Sequence, residues 1–379
     1  MSTMGMVYSS LGLYKEAKRL VMTSLEIRMK TYGEESNEVA ESYFNLSNIS
    51  LKEGNFKEAE KFILKAIKIF NQTGRKDDEQ LFLYYNNFGE ALTGEHKLDE
   101  ALELYNKLLK IKERIAKDDV VMANIINNLA QVYSKKSNYS EAEKNYRKAY
   151  EIWLKNYGEI HPNVASALNN IAQMCKKQKK SKDAEKYYLK SLEIKEKLYE
   201  KDHPSIGNTH TNLGALYYSQ GNFDKAYDFW LRASVIYENT YDKNNPILAI
   251  SYNNLAMALK AKKDYENALA YYLKAIKTFE NFYGKECVEV GKTLSNIASL
   301  YLFMKRYGDA EQYYKKAIFI MEKVFGKTHS TTVQLKENLA WFYYEIKNYR
   351  KCENILISVL SDLEKDASSK KIVIKNLSF

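Results

Sequence analysis

The sequence predicts an all-α solenoid of stacked helical hairpins. Three observations carry that prediction: a fixed repeat period, a small residue set against a large one in every copy, and a uniform chain without domain linkers. The period is plainest in NNLAQVYSKKSNYSEAEKNYRKAYEIWLKNY, Asn127 to Tyr157, which recurs in degraded form from end to end. With the alanine of its EAE as a marker, the same slot holds Ala17, Ala59, Ala101, Ala142, Ala184, Ala226, Ala268, Ala310 and Cys352. Each step is 42 residues, except the 41 between Ala101 and Ala142.

Twelve positions before the marker stand Gly5, Ser47, Gly89, Ala130, Ala172, Gly214, Ala256, Ala298 and Ala340, all small. Four positions after it stand Val21, Ile63, Tyr105, Tyr146, Tyr188, Trp230, Tyr272, Tyr314 and Leu356, all large. A small residue on one helix admits a large one from the next, so each unit reads as two closely packed helices. A short turn joins them, with Gly12, Gly54 or Gly221 in some copies and an aromatic such as Phe56 or Tyr139 after it.

The elements follow in order. The first copy has room for only a short leading helix, because Met1 stands sixteen residues before Ala17. Copies two to eight, from about Glu34 to about Gly326, form the regular body. Pro162, Pro204 and Pro246, 42 residues apart, each suit the first turn of a leading helix, where the missing N–H has no intrahelical partner anyway. Copy three departs most: Gln80 to Asn86 lacks the proline-type entry, and Gly94 precedes an EHKLDE turn. Copy nine ends in NILISVLSDLEKD, Asn354 to Asp366, still helical by its apolar spacing. A single array over residues 1–366 and a mobile tail over 367–379 are therefore expected.

The slots, a leucine-small pair followed by a tyrosine, an alanine, a tyrosine and another alanine, resemble the tetratricopeptide repeat. The unit is longer than the ordinary one of about 34 residues. With linkers such as YGEIHPNVASALNN, Tyr157 to Asn170, and YEKDHPSIGNTHTN, Tyr199 to Asn212, it resembles the lengthened repeats of the kinesin light chain family. The resemblance covers nearly the whole chain. It implies a right-handed superhelical solenoid whose first helices line a concave groove, and an adaptor that takes an extended peptide there. Cargo binding within a motor complex is the specific form it implies, although the sequence shows no heptad segment of the kind that binds the motor in that family. The basic clamp of the chaperone-binding branch is replaced here by asparagine, so that function is not implied.

Hydrophobic residues at 45% allow a buried seam and charged residues at 28% solvate the outside. No apolar run approaches the ~20 residues needed to span a bilayer, and the N-terminal stretch does not read as a signal peptide. Cys175, Cys287 and Cys352 are odd in number and widely spaced, which fits reduced thiols. Together these features predict a cytoplasmic protein without membrane insertion. A net charge of +10 raises nucleic acid, membrane surfaces and acidic peptides as partners. Much of the excess is local: Cys175 to Lys201 holds ten Lys against five Asp or Glu, and its KKQKKSK, Lys176 to Lys182, reads as a solvated turn. Nucleic-acid binding requires basic residues interleaved with exposed aromatics, and the tyrosines fall in packing slots instead.

The most informative polar feature is a ladder of asparagines fourteen positions before the marker: Asn45, Asn87, Asn128, Asn170, Asn212, Asn254, Asn296 and Asn338. Asparagine costs up to ~0.7 kcal/mol against alanine inside a helix, so its recurrence asks for a role. An amide carries donors and acceptors together, as extended peptide backbone does. The ladder is thus the candidate peptide-binding groove, with Asn86, Asn127, Asn169 and Asn253 beside it. Lys135 and Lys177, two turns further along, suit an acidic segment of the partner. Replacing Asn128, Asn170 and Asn212 by alanine is expected to leave the fold intact. Two other readings stay open: the amides bond neighbouring helices, or they were inherited by duplication.

No HExxH, CxxC, glycine-rich phosphate loop or G-x-S-x-G occurs. His161, His203 and His329 share one linker slot, and Glu141 and Glu143 read as a solvated helix face. The sequence therefore points to a non-catalytic protein-binding adaptor with no cofactor, metal or small-molecule substrate. A structural scaffold or self-associating assembly protein is the rival.

Overall fold

The computed structural model describes residues 2–10, 13–72, 79–115 and 119–377; Gly12 and the last two residues of the expected tail lie outside them. Among the described residues there are eighteen α-helices and no strand. They form nine hairpins: α1 (Ser2–Ser10) with α2 (Tyr14–Tyr32), α3 (Asn37–Glu53) with α4 (Phe56–Gln72), α5 (Glu79–Gly94) with α6 (Leu98–Ile115), α7 (Val120–Lys135) with α8 (Tyr139–Tyr157), and α9 (Pro162–Lys177) with α10 (Ser181–Leu198). The remaining four are α11 (Pro204–Ser219) with α12 (Phe223–Thr240), α13 (Pro246–Ala261) with α14 (Tyr265–Tyr283), α15 (Val288–Phe303) with α16 (Tyr307–Phe325), and α17 (Ser330–Glu345) with α18 (Tyr349–Leu377).

The chain divides into two compact units, Met1–Leu198 and Tyr199–Phe379, where the period alone suggests one array. In unit 1 the first helices α1, α3, α5 and α7 touch in succession; in unit 2, α15 and α17 do so. The leading helix α1 has nine residues against seventeen in α3. At the other end α18 is continuous to Leu377, past the point where the tail was expected to begin.

The small-to-large rule is visible as contact. A Cβ placed on Gly89 would lie 2.4 Å from the Tyr105 ring, and one on Gly214 would lie 2.4 Å from the Trp230 ring. Only a residue without a side chain lets those rings through, and both rings are buried. The marker alanines from Ala17 to Ala310 are fully buried. Copy nine differs: Leu356 is 41% exposed in the slot that elsewhere is buried, and Ile357 and Leu360 beside it are exposed too.

The turns share one backbone feature. In copies two to nine the residue five before the marker adopts a left-handed backbone, which glycine takes without strain at Gly54 (φ 83°) and Gly221 (φ 77°). Ser137, Lys179, Lys263, Lys305 and Lys347 adopt the same conformation with φ between 58° and 66°. The leading helices α3, α7, α9, α11, α13 and α17 are started by side-chain caps. The rings of His161, His203 and His329 accept through Nδ1 from the amides of Asn163, Ser205 and Thr331 at 3.2, 3.1 and 3.2 Å. Each also stacks on the preceding aromatic, Tyr157, Tyr199 or Phe325, so the shared histidine slot has a structural role.

Candidate peptide-binding face

The ladder asparagines lie on the first helices, half-buried except for Asn87, which is buried. In unit 1 three of the four bond from helix to helix. Asn87 donates through Nδ2 to Asn48 Oδ1 at 2.6 Å, Asn128 to Asn86 Oδ1 at 3.1 Å, and Asn170 to Asn127 Oδ1 at 3.4 Å. Asn127 in turn donates to Asn128 Oδ1 at 3.1 Å. One amide donor of each of these three ladder residues thus ties α5 to α3, α7 to α5 and α9 to α7. Alanine at these positions would therefore remove a bond between helices as well as an amide from the face. Each amide still has a second N–H and spare acceptor capacity.

Lys135 and Lys177 each meet a neighbouring helix. Lys135 donates to the Thr93 carbonyl oxygen at 3.0 Å, completing the C-terminal end of α5. This is a favourable place for a cation, and it leaves that lysine less available to a partner's carboxylate. Lys177 stands 5.9 Å from the Tyr139 ring centre.

Unit 2 builds the same face from other chemistry. Asn253 donates to Thr293 Oγ1 at 3.0 Å, tying α13 to α15. Asn254, Asn296 and Asn338 make no side-chain hydrogen bond among the described residues, and Asn212 is engaged. The prominent exposed side chains are apolar: Ile250 is 50% exposed, Phe303 55%, Trp341 51% and Tyr344 57%. Lys260 donates to Ser299 Oγ at 3.0 Å, and burial holds its pKa below the ordinary lysine value. The sequence did not single out Ile250, Trp341 or Tyr344, whose slots hold polar residues in most other copies.

Glu143 is not on a solvated face. It is 8% exposed and accepts from Arg147, Gln178 and Lys180 at 2.6, 2.8 and 3.0 Å. Burial pushes its carboxyl pKa up, but these three donors hold it below the usual range. The KKQKKSK turn is therefore pinned to α8 through Gln178 and Lys180. Cys175 is a buried free thiol whose pKa burial raises to about 11. Among the described residues no group of three His, Cys, Asp or Glu could hold a metal ion. No described helix is long and apolar enough to cross a membrane.

Helical hairpins recurring at a fixed period define a helical repeat protein, the class that offers extended surfaces to partners. The chain belongs to the tetratricopeptide repeat family, whose profile matches residues 1–72, 45–114, 121–197, 166–238, 205–281 and 289–364. No curated protein matches it. Among solved structures it is similar to the apo form of RapI, with 16% identity over 96% of this chain and 97% of that one and a TM-score of 0.64. It is also similar to a Rap protein complexed with Competence and Sporulation Factor, at 14% identity, 97% of both chains and a TM-score of 0.58. BtubC (BKLC) from P. vanneervenii matches at 24% identity over 65% of this chain and 92% of that one, with a TM-score of 0.50.

Proposed function

We propose that this protein is a non-catalytic adaptor that holds an extended segment of a partner protein along its first-helix face. The observation that carries this reading is the ladder itself: half-buried amides at a constant place on successive first helices, each with hydrogen-bonding capacity left after the lateral bonds of unit 1. Extended backbone presents donors and acceptors at regular intervals and can use that capacity with little dependence on its own side chains. Asn45, Asn87, Asn128 and Asn170 would serve in unit 1, and Asn212, Asn254, Asn296 and Asn338 in unit 2. A Rap protein of like fold, solved with Competence and Sporulation Factor, is consistent with such a use of the fold. Cargo binding of the kinesin light chain kind is one form of this activity.

The test must block the face without cutting the amide bonds that join the helices. Gln131 and Gln173 are exposed on it and Glu151 is exposed on the second helix α8. Partners captured by the wild-type chain should be lost by Gln131→Trp with Gln173→Trp and kept by Glu151→Trp. Capture unaffected by the double variant would rule the face out. A mass that rises with concentration in light scattering would favour the self-associating scaffold.

A further inference from the structure

Glu90 breaks the pattern of the face it lies on. Eleven positions before the marker, the other full copies of unit 1 carry the amides Asn48, Gln131 and Gln173, and only the third carries a carboxylate. Glu90 is half-buried on α5, one turn from Asn86 and Asn87, and close enough to Tyr105 for its charge to act on that phenol. It makes no hydrogen bond and no ion pair among the described residues, although the chain has a net charge of +10. The lysines of the adjoining first helices do not compensate it: Lys135 is held by the Thr93 carbonyl at 3.0 Å, and Lys52 forms no ion pair with it. The Tyr105 hydroxyl donates to the Asn86 carbonyl at 3.1 Å rather than to the carboxylate. Burial accordingly raises the Glu90 pKa above the ordinary carboxylate value. Its oxygens are not among the sealed, unpartnered polar atoms, so they can be reached.

A partly desolvated carboxylate without a donor is unfavourable in the free protein and gains most from an arriving cation. We propose that Glu90 recognises a cationic side chain of the bound segment, a lysine ammonium or an arginine guanidinium, on the first-helix face of unit 1. This rests on the peptide-holding reading above and deepens it. The flanking amides hold the backbone while Glu90 selects for a positive side chain. The selectivity is therefore opposite to that expected from Lys135 and Lys177.

Labelled Ala/Ser peptides of extended character, identical except for Lys, norleucine or Glu at the centre, test this by fluorescence anisotropy on the full chain. The wild type should bind the Lys peptide about tenfold more tightly than the norleucine peptide at low salt, with the margin shrinking at high salt. Glu90→Gln should erase that margin while leaving the norleucine peptide unchanged, and Glu90→Asp should keep part of it. Unliganded Glu90→Gln should melt no lower than the wild type, because a desolvated charge is removed. Equal binding of all three peptides by the wild type, or a margin that survives Glu90→Gln, overturns the assignment and leaves the groove reading standing. Binding of none of the peptides overturns both.

Discussion

The first-helix faces of the two units occupy the same repeat slots and carry different chemistry. Eleven positions before the marker, unit 1 has Asn48, Glu90, Gln131 and Gln173, where unit 2 has Ala215, Met257, Ser299 and Trp341. In unit 1, ladder amides bond across neighbouring first helices, while three of the four ladder amides of unit 2 make no such bond among the described residues. The difference teaches that one periodic asparagine can serve two ends. In unit 1 it joins helices through Asn48, Asn86 and Asn127; in unit 2 Asn254, Asn296 and Asn338 are left for something else, beside rings that a partner could cover.

The largest expected effect distinguishes the units by pH. His210 in α11 is buried with Nδ1 unpartnered, and burial, aided by Arg232, lowers its pKa to about 4. Unfolded histidine titrates near 6.5, so between these values the unfolded state holds one more proton than the folded state. Stability is then complete above about pH 6.5 and declines as pH falls toward 4, by up to about 3 kcal/mol. In unit 1, the lowered carboxyl of Glu143 contributes stability that is lost only as pH falls below its unfolded pKa of about 4.3. Residue-resolved amide protection at pH 7 and pH 4.5 should show α11 to α13 loosening before α7 to α9. His210→Asn should remove the difference; identical pH dependence in both units would refute it.

A second, smaller contrast is a pair of triple variants. Asn87→Ala, Asn128→Ala and Asn170→Ala together remove three lateral bonds worth about 0.5 to 1.5 kcal/mol each, offset by the better helix propensity of alanine. A net loss of about 1 to 2 kcal/mol is expected. The matching triple in unit 2, Asn254→Ala, Asn296→Ala and Asn338→Ala, loses no such bond and should gain up to about 2 kcal/mol. Denaturant midpoints decide, and equal shifts in both would dissolve the comparison. The smallest effect belongs to Trp341→Ala and Tyr344→Ala, which should each change stability by less than about 0.5 kcal/mol because both rings are exposed. A loss of several kcal/mol would mean that the apolar face is part of a core.

Much of this was legible in the residues. Gly89 against Tyr105 and Gly214 against Trp230 were implied by slot size alone, and the structure places each glycine under the ring it must admit. The histidine slot was rightly read as part of the repeat, though its capping and stacking could not be read from spacing. Glu143 was misread as solvated because an i, i+4 arginine is the usual mark of an exposed face. Gln178 and Lys180 reach it from the following turn, across a distance in sequence that periodicity does not report. Glu90 carried a signal, a charge among amides, but its meaning depended on which cations stood near.

The sequence by itself determined the period, the hairpins, the small-to-large packing and the face on which each ladder asparagine lies. These follow from side-chain volume and from the 3.6-residue turn, which assigns every position a direction. Only the tertiary structure decided which atoms those side chains meet: Asn128 finds Asn86, Lys135 finds a carbonyl, and Glu90 finds no donor. A hydrogen bond tolerates a few tenths of an ångström. The rotation and offset between successive hairpins move side chains by more than that, and the packing of the whole core, not the spacing along the chain, sets them.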